Sequence, residues 1–158
     1  MRDGATGIDA GSYDLHAAVG HLLRRSQQRA VDLFVDEVGE AGPTPRQFAV
    51  LLSVHQNPGV NQTDLVRMTG IDRSTLTEIL RRLGRRGLVR RERQRRDRRT
   101  NALHLTEAGR AAMVSALDAV ERAQQRILEP VPAAERAAAM RLLERLAGLD
   151  GEPREAGR

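Results

Sequence analysis

The sequence predicts a mainly α-helical fold with one small two-stranded β-ribbon, and three observations predict it. The aromatic residues are only Tyr13, Phe34 and Phe48, so the core must be built from Leu, Val and Ala, which suits helix-on-helix packing better than a β-sandwich. Apolar residues recur at helical spacing through most of the chain, and capping residues precede the runs. The period then changes at Leu88-Val89-Arg90-Arg91 and at Ala102-Leu103-His104-Leu105, two short strand-like stretches that bracket a basic turn. At 158 residues, 40% of them hydrophobic, the chain has the length of one domain and enough apolar surface for a core.

Each element follows from local signals. Residues 1–11, rich in Gly, Asp and Thr, are expected to be a flexible lead-in. Ser12 is placed to cap a long first helix within residues 12–42, with Leu15, Val19, Leu22, Leu23, Ala30, Leu33, Phe34 and Val38 inward and Gly39 and Gly42 at its end. Thr44-Pro45-Arg46-Gln47 is a capping-box arrangement with proline at the first helical position. The helix it starts, QFAVLLSVHQ, stops at Asn57-Pro58-Gly59.

Asn61 caps a third helix that carries Leu65, Val66 and Met68 inward and closes at Gly70. Asp72 caps a fourth, whose Leu76, Ile79, Leu80 and Leu83 share one face. Beyond the ribbon, Thr106 caps a long fifth helix with Ala111, Val114, Leu117, Val120, Ala123 and Ile127 inward. Glu129-Pro130-Val131-Pro132 breaks it, and a last helix from about 133 to 149 carries Met140, Leu142, Leu143 and Leu146. Residues 151–158 are expected to fray.

Charge is distributed unevenly. All 26 basic residues are arginine. Between Arg73 and Arg99 twelve arginines stand against Glu78, Glu92 and Asp97, a local balance of +9 in a chain of net +5, so the remainder carries −4. A basic region on a mildly acidic body implies a localised anionic partner, nucleic acid first.

The chain has no cysteine, which excludes disulfides, thiolate metal sites and thiol redox switches. His16, His21, His55 and His104 are scattered without an i,i+4 pair, so no metal centre is expected. There is no glycine-rich phosphate loop, nucleophile elbow or HExxH segment, so neither an enzyme nor a cofactor is expected. No run approaches 18 apolar residues and the first residues lack a leader pattern, which predicts a soluble, cytoplasmic protein with no membrane partner.

The third and fourth helices, joined across Gly70, form a helix-turn-helix candidate. The second of them offers Arg73, Ser74, Thr75, Thr77, Glu78 and Arg81. Arginine forks onto guanine, and hydroxyls suit phosphates or bases. Asn61, Gln62 and Thr63, at the preceding helix start, suit backbone phosphates through amides and the helix dipole. Ser74 and Thr75 could equally serve the cap, and Arg81 a solvated face. The basic ribbon raises the helix pair to a winged helix-turn-helix over residues 43–106. Its arginines can lie along phosphates or enter the minor groove. A different class stays open: a winged-helix module that binds RNA or a protein partner through its basic wing. Sequence preference retained at raised salt separates the two.

These residues resemble the MarR-type winged helix-turn-helix transcriptional regulators. DRRTNALHLT, residues 97–106, fits that family's wing signature at Asp97, Arg99, Leu105 and Thr106, and NQTDLVRMTGIDRSTLTEILRRLGRRGLVRRE is similar to its DNA-binding core. The resemblance runs along the whole chain. It implies a ligand-responsive repressor that acts as a homodimer on a pseudo-palindromic double-stranded operator, interlocked through residues 12–42 and 107–150. On this resemblance Arg99 approaches the minor groove, Asp97 orients it, and Arg95, Arg96 and Arg98 add phosphate contacts. Leu105 anchors the wing and Thr106 caps the next helix.

The resemblance also implies a small phenolic or anionic effector between the dimer helices and the winged lobe. Candidate lining residues are His21, Arg24, Arg25, Phe48, His55 and Met113, each of which also has an ordinary reading as a core or surface residue. Independently, the apolar faces on residues 15–38, 111–127 and 140–146 exceed what one lobe needs. An intrachain core or a second copy of the chain would use them.

Overall fold

Local capping sets the starts of four of the helices, as a computed structural model of the chain shows for residues 10–93 and 101–149, the residues it describes. Among them are six α-helices and one ribbon: α1 (Val19–Val38), α2 (Pro45–Gln56), α3 (Gln62–Thr69), α4 (Arg73–Arg85), β1 (Val89–Arg93), β2 (Asn101–Leu105), α5 (Glu107–Leu128) and α6 (Arg136–Leu146). The Thr44 hydroxyl accepts from the Gln47 amide at 3.3 Å while the Gln47 side chain accepts from the Thr44 amide at 3.2 Å, closing the capping box. Asn61, Asp72 and Thr106 cap α3, α4 and α5 in the same local manner.

The start of α1 differs from expectation. Asp14, not Ser12, makes the cap: its carboxylate accepts from the His16 amide at 2.8 Å and opens a 3-10 turn, Leu15–Ala17. An extended Ala18 separates that turn from α1, which begins with no side-chain cap.

The core sits in the lobe formed by α2, α3, α4 and the ribbon. Leu51, Leu65, Leu76, Leu83 and Leu103 are fully buried there, and Phe34 of α1 with Met113, Ala116 and Ala123 of α5 extends it. α1 and α5 pack together and are clasped at Glu37, which accepts from Arg122 at 2.9 Å and from Arg126 at 2.8 Å. Those two guanidinium groups hold its carboxyl below the usual range.

Helix α5 buries a face that agrees with expectation in its C-terminal half and is rotated in its N-terminal half. Gly109, Met113, Ala116 and Ala123 face inward, Val120 and Ile127 are half-buried, and Ala111, Val114 and Leu117 are exposed. At Gly109 the helix runs close to the start of the ribbon: a Cβ there would fall 2.0 Å from the Leu88 carbonyl oxygen. On α1 only Phe34 is buried, Ala30, Leu33 and Val38 are half-buried, and Leu22 and Leu23 are exposed, as are Leu15 in the turn before it and Val19. Met68 is exposed too, at the end of the short α3. Met140, Leu142, Leu143 and Leu146 on α6 all face out, with 40–61% of each accessible, because α6 packs mainly on the Ala133–Glu135 turn before it.

The two strands are antiparallel, with Val89 opposite Leu105 and Arg91 opposite Leu103. The root of the ribbon is tied to the approach to α3: the Leu103 amide donates to the Val60 carbonyl and the Gly59 amide to the Leu103 carbonyl, each at 2.9 Å. Arg95, Arg96, Asp97, Arg98 and Arg99 lie outside the described residues.

Candidate nucleic-acid interface

The 3.6-residue period of α4 divides it into two faces. Leu76, Ile79, Leu80 and Leu83 are buried, which turns Ser74, Glu78, Arg81 and Arg85 outward. Gly70, in the left-handed conformation with φ +65°, ends α3 and lets the chain turn into α4 within two residues. Its amide donates to the Val66 carbonyl at 3.0 Å.

The start of α3 is joined to the first turns of α4 by two side-chain bonds. Gln62 Nε2 donates to Thr77 Oγ1 at 2.6 Å, and Arg73 Nη2 donates to Thr63 Oγ1 at 3.0 Å. The Thr77 hydroxyl in turn donates to the Arg73 carbonyl at 2.7 Å. Gln62, Thr63, Arg73 and Thr77 thus form one polar patch.

Other expected contacts are committed elsewhere. Asn61 gives its amide oxygen to the Asp64 backbone and its amide nitrogen to the Asp64 carboxylate at 2.7 Å, so it serves the cap. Ser74 donates to Asp72 Oδ1 at 2.6 Å, and the same oxygen accepts from the Thr75 amide at 2.9 Å. These bonds hold the Asp72 carboxyl well below its ordinary range. Thr75 is half-buried.

Glu78 carries three bonds: Arg81 Nε donates to Oε2 at 2.7 Å, Arg81 Nη2 donates to Oε1, and Arg82 Nε donates to Oε1 at 2.8 Å. The two guanidinium groups pull its pKa down to about 2.

The ribbon root carries charge of its own. Arg90 donates to Glu92 at 2.8 Å, and His104 Nε2 lies 3.7 Å from the same carboxylate. Sequence reasoning found the faces of α4 and missed the Gln62–Thr77 bond. The two residues are fifteen apart, and no local pattern pairs them. It also missed Gly109 and the second role of Thr106, whose hydroxyl donates to the Gly87 carbonyl at 2.6 Å while accepting from the Gly109 amide at 3.0 Å.

Of the six expected effector residues, the structure brings His21 and Arg24 together and separates the others by role. His21 is half-buried; its Nδ1 is 3.5 Å from Arg24 Nη2, its Nε2 is buried with no hydrogen-bond partner among the described residues, and its ring meets His16 edge-on at 5.7 Å. Arg24 lines a cleft of about 430 Å3 between α1 and α2, together with Gln27, Gln28, Val31, Thr44, Pro45 and Arg46. Phe48 packs on Phe34 at 6.2 Å in the core, which Met113 also joins. His55 is half-buried in the last turn of α2, and Arg25 is exposed. Among the described residues no cluster of His, Asp or Glu is arranged to hold a metal ion, and no helix is long and apolar enough to cross a membrane.

A helix pair with a polar outward face, followed directly by a basic ribbon, defines a winged helix-turn-helix protein. Comparison with known proteins agrees. Residues 41–100 match the MarR family. The PcaV transcriptional regulator of Streptomyces coelicolor, solved with its natural ligand, is 36% identical and superposes with a TM-score of 0.81 over 87% of this chain and 96% of its own. Bordetella bronchiseptica BpsR, whose DNA binding is regulated by 6-hydroxynicotinic acid, is 31% identical with a TM-score of 0.80, covering 86% of this chain and 98% of its own. The transcriptional repressor CouR, bound to a 23-mer DNA duplex, is 36% identical with a TM-score of 0.77 over 84% and 94% of the two chains. The chain belongs to the MarR family of transcriptional regulators.

Proposed function

We propose that this chain is a transcriptional repressor that binds a pseudo-palindromic operator as a homodimer and responds to a small anionic, ring-bearing ligand. The observation that carries the reading is the outward face of α4. Ser74, Glu78 and Arg81 stand along it, flanked by the Gln62–Thr77 and Arg73–Thr63 bonds that join α3 to α4. In this class of motif that face enters the major groove while the start of the preceding helix meets the phosphates. Arg95, Arg96, Arg98 and Arg99, with Asp97, are assigned to the wing's backbone and minor-groove contacts on the sequence signature.

Residues 43–106 form the DNA-binding region in this reading, and 12–42 with 107–150 form the dimerisation segments. The exposed apolar residues of α1 and its approach, α5 and α6 supply the surface for a second copy. The cleft between α1 and α2 supports the ligand assignment. Arg24 and Arg46 present two cations there. Because the cleft joins a dimerisation helix to the winged lobe, a ligand that favours one lobe angle changes the spacing of the two α4 helices and so the fit to two half-sites. CouR and BpsR, a DNA-bound repressor and a regulator answering to an aromatic acid, support the same assignment.

The test is selection of bound fragments from the native genome, followed by fluorescence anisotropy across a salt series and in the presence of aromatic carboxylates. Selected duplexes should stay preferred over random ones as salt rises, and one of the acids should release them. Equal loss on all sequences would make the protein a general polyanion binder and overturn the repressor reading.

A further inference from the structure

We propose that Arg81 reads a guanine in each half-site through the free end of its guanidinium, with Glu78 as its positioning residue rather than a base contact. The proposal rests on the operator-binding reading above and deepens it.

Arg81 lies in the middle of the outward face of α4, three residues after Glu78 and four before Arg85, opposite the buried Leu76, Ile79, Leu80 and Leu83. An arginine there is ordinarily a mobile chain in solvent. This one is folded onto Glu78 through both of its side-on N–H groups, Nε and Nη2, with Nε at 2.7 Å. Two bonds from one planar fork to one carboxylate fix the plane of the guanidinium as well as its position. They leave unused the far edge, where one N–H from each terminal nitrogen points onward in parallel.

Two parallel donors match only one base-pair edge of the major groove. Guanine presents two adjacent acceptors, N7 and O6, whereas adenine sets a donor beside its N7, cytosine presents a donor and thymine a single acceptor beside a methyl group. Because the side chain is already ordered in the free protein, less rotamer freedom is lost on binding.

The same bonds remove Glu78 from base reading. Its two oxygens accept three N–H groups, the third from Arg82 at 2.8 Å, which fills three of about four acceptor sites and commits the carboxylate to the two arginines. Its negative charge, unfavourable in a groove walled by phosphates, is balanced by two cations and stays ionised because of them. Arg73 differs: it is held by the neutral Thr63 hydroxyl through one nitrogen and has no fixed edge.

The experiment is selection from a pool of duplexes with a randomised interior, using the full-length wild type, Arg81→Lys and Glu78→Gln, with affinity for unselected duplex measured in parallel. Circular dichroism melts check that these surface variants fold alike. Wild type should converge on a guanine at one position of each half-site. Arg81→Lys keeps the charge and loses the fork, so preference at that position alone should fall roughly 5- to 150-fold, the range of one bidentate pair. Glu78→Gln should weaken the same position several-fold while raising affinity for unselected duplex.

Arg81→Lys leaving every position unchanged overturns the proposal. So does Glu78→Gln altering a position that Arg81→Lys leaves alone, since Glu78 would then read a base itself. A wild-type pool that converges on no sequence at all sinks the operator-binding reading, a result distinct from either.

Discussion

Replacing Gly109 with alanine sets two effects against each other, and the structure decides the sign. Helix propensity alone favours alanine by up to about 1 kcal/mol. The added Cβ, however, would lie 2.0 Å from the Leu88 carbonyl oxygen, 2.9 Å from its carbon and 3.2 Å from the Leu88 Cα. All three are backbone atoms with no rotamer to turn aside. Relief requires α5 to lift from the start of β1, and that start is held by Thr106, whose amide donates to the Leu88 carbonyl at 3.1 Å and whose hydroxyl donates to the Gly87 carbonyl at 2.6 Å.

Overpacking of this kind costs roughly 1–3 kcal/mol, and each weakened bond contributes about 1 kcal/mol net. Against the propensity gain the balance is a destabilisation of about 2 kcal/mol. Urea unfolding followed by far-ultraviolet circular dichroism measures it, at one fixed chain concentration because the stability of an oligomer depends on that concentration. Operator affinity should fall as well, since the displaced residues root the wing. An alanine variant that unfolds at the same or a higher urea midpoint would refute the packing argument.

Four further outcomes are expected. The Glu78 carboxyl, followed by carbon NMR, should titrate near pH 2, and in Arg81→Ala it should move up toward the ordinary carboxylate range. Since the folded pKa is the lower one, the stabilising effect of this clamp is complete above about pH 4.5 and is lost as the pH falls through about 2. A Leu142→Asp, Leu146→Asp double variant places charge on the uncovered face of α6 and should sediment as a monomer with its helicity retained; a dimer at micromolar concentration would sink that role for α6. Arg99→Ala should lose operator binding with the fold intact, and Asp97→Asn should weaken binding if the acid orients Arg99 but strengthen it if the acid only dilutes positive charge.

Much of the DNA-binding lobe was legible because its signals are local. Thr44 with Gln47, Asn61 with Asp64, Asp72 with Thr75 and Thr106 with Gly109 are all pairs three residues apart, so caps and helix starts could be read directly. The buried stripe of α4 followed from its period alone. The faces of α1 and α5 were less legible. Hydrophobic spacing points at Val114 and Leu117, while the chain buries Gly109, Met113 and Ala116; Ala123 lies inward as expected. Choosing between such faces needs the distance between two backbones, and that distance is a property of the packed pair.

By itself, then, the sequence determined the order of elements, the helix-turn-helix with its charged ribbon, and the candidate face of α4, because caps, periodicity and charge runs act within a few residues. Only the tertiary structure decided that Gln62 meets Thr77, that Arg73 is held by Thr63, and that α5 approaches Leu88 at a glycine. Those contacts join residues far apart in the chain or depend on which of several nearby partners a side chain takes. Both are settled by close packing, where a single methyl group changes which arrangement fits.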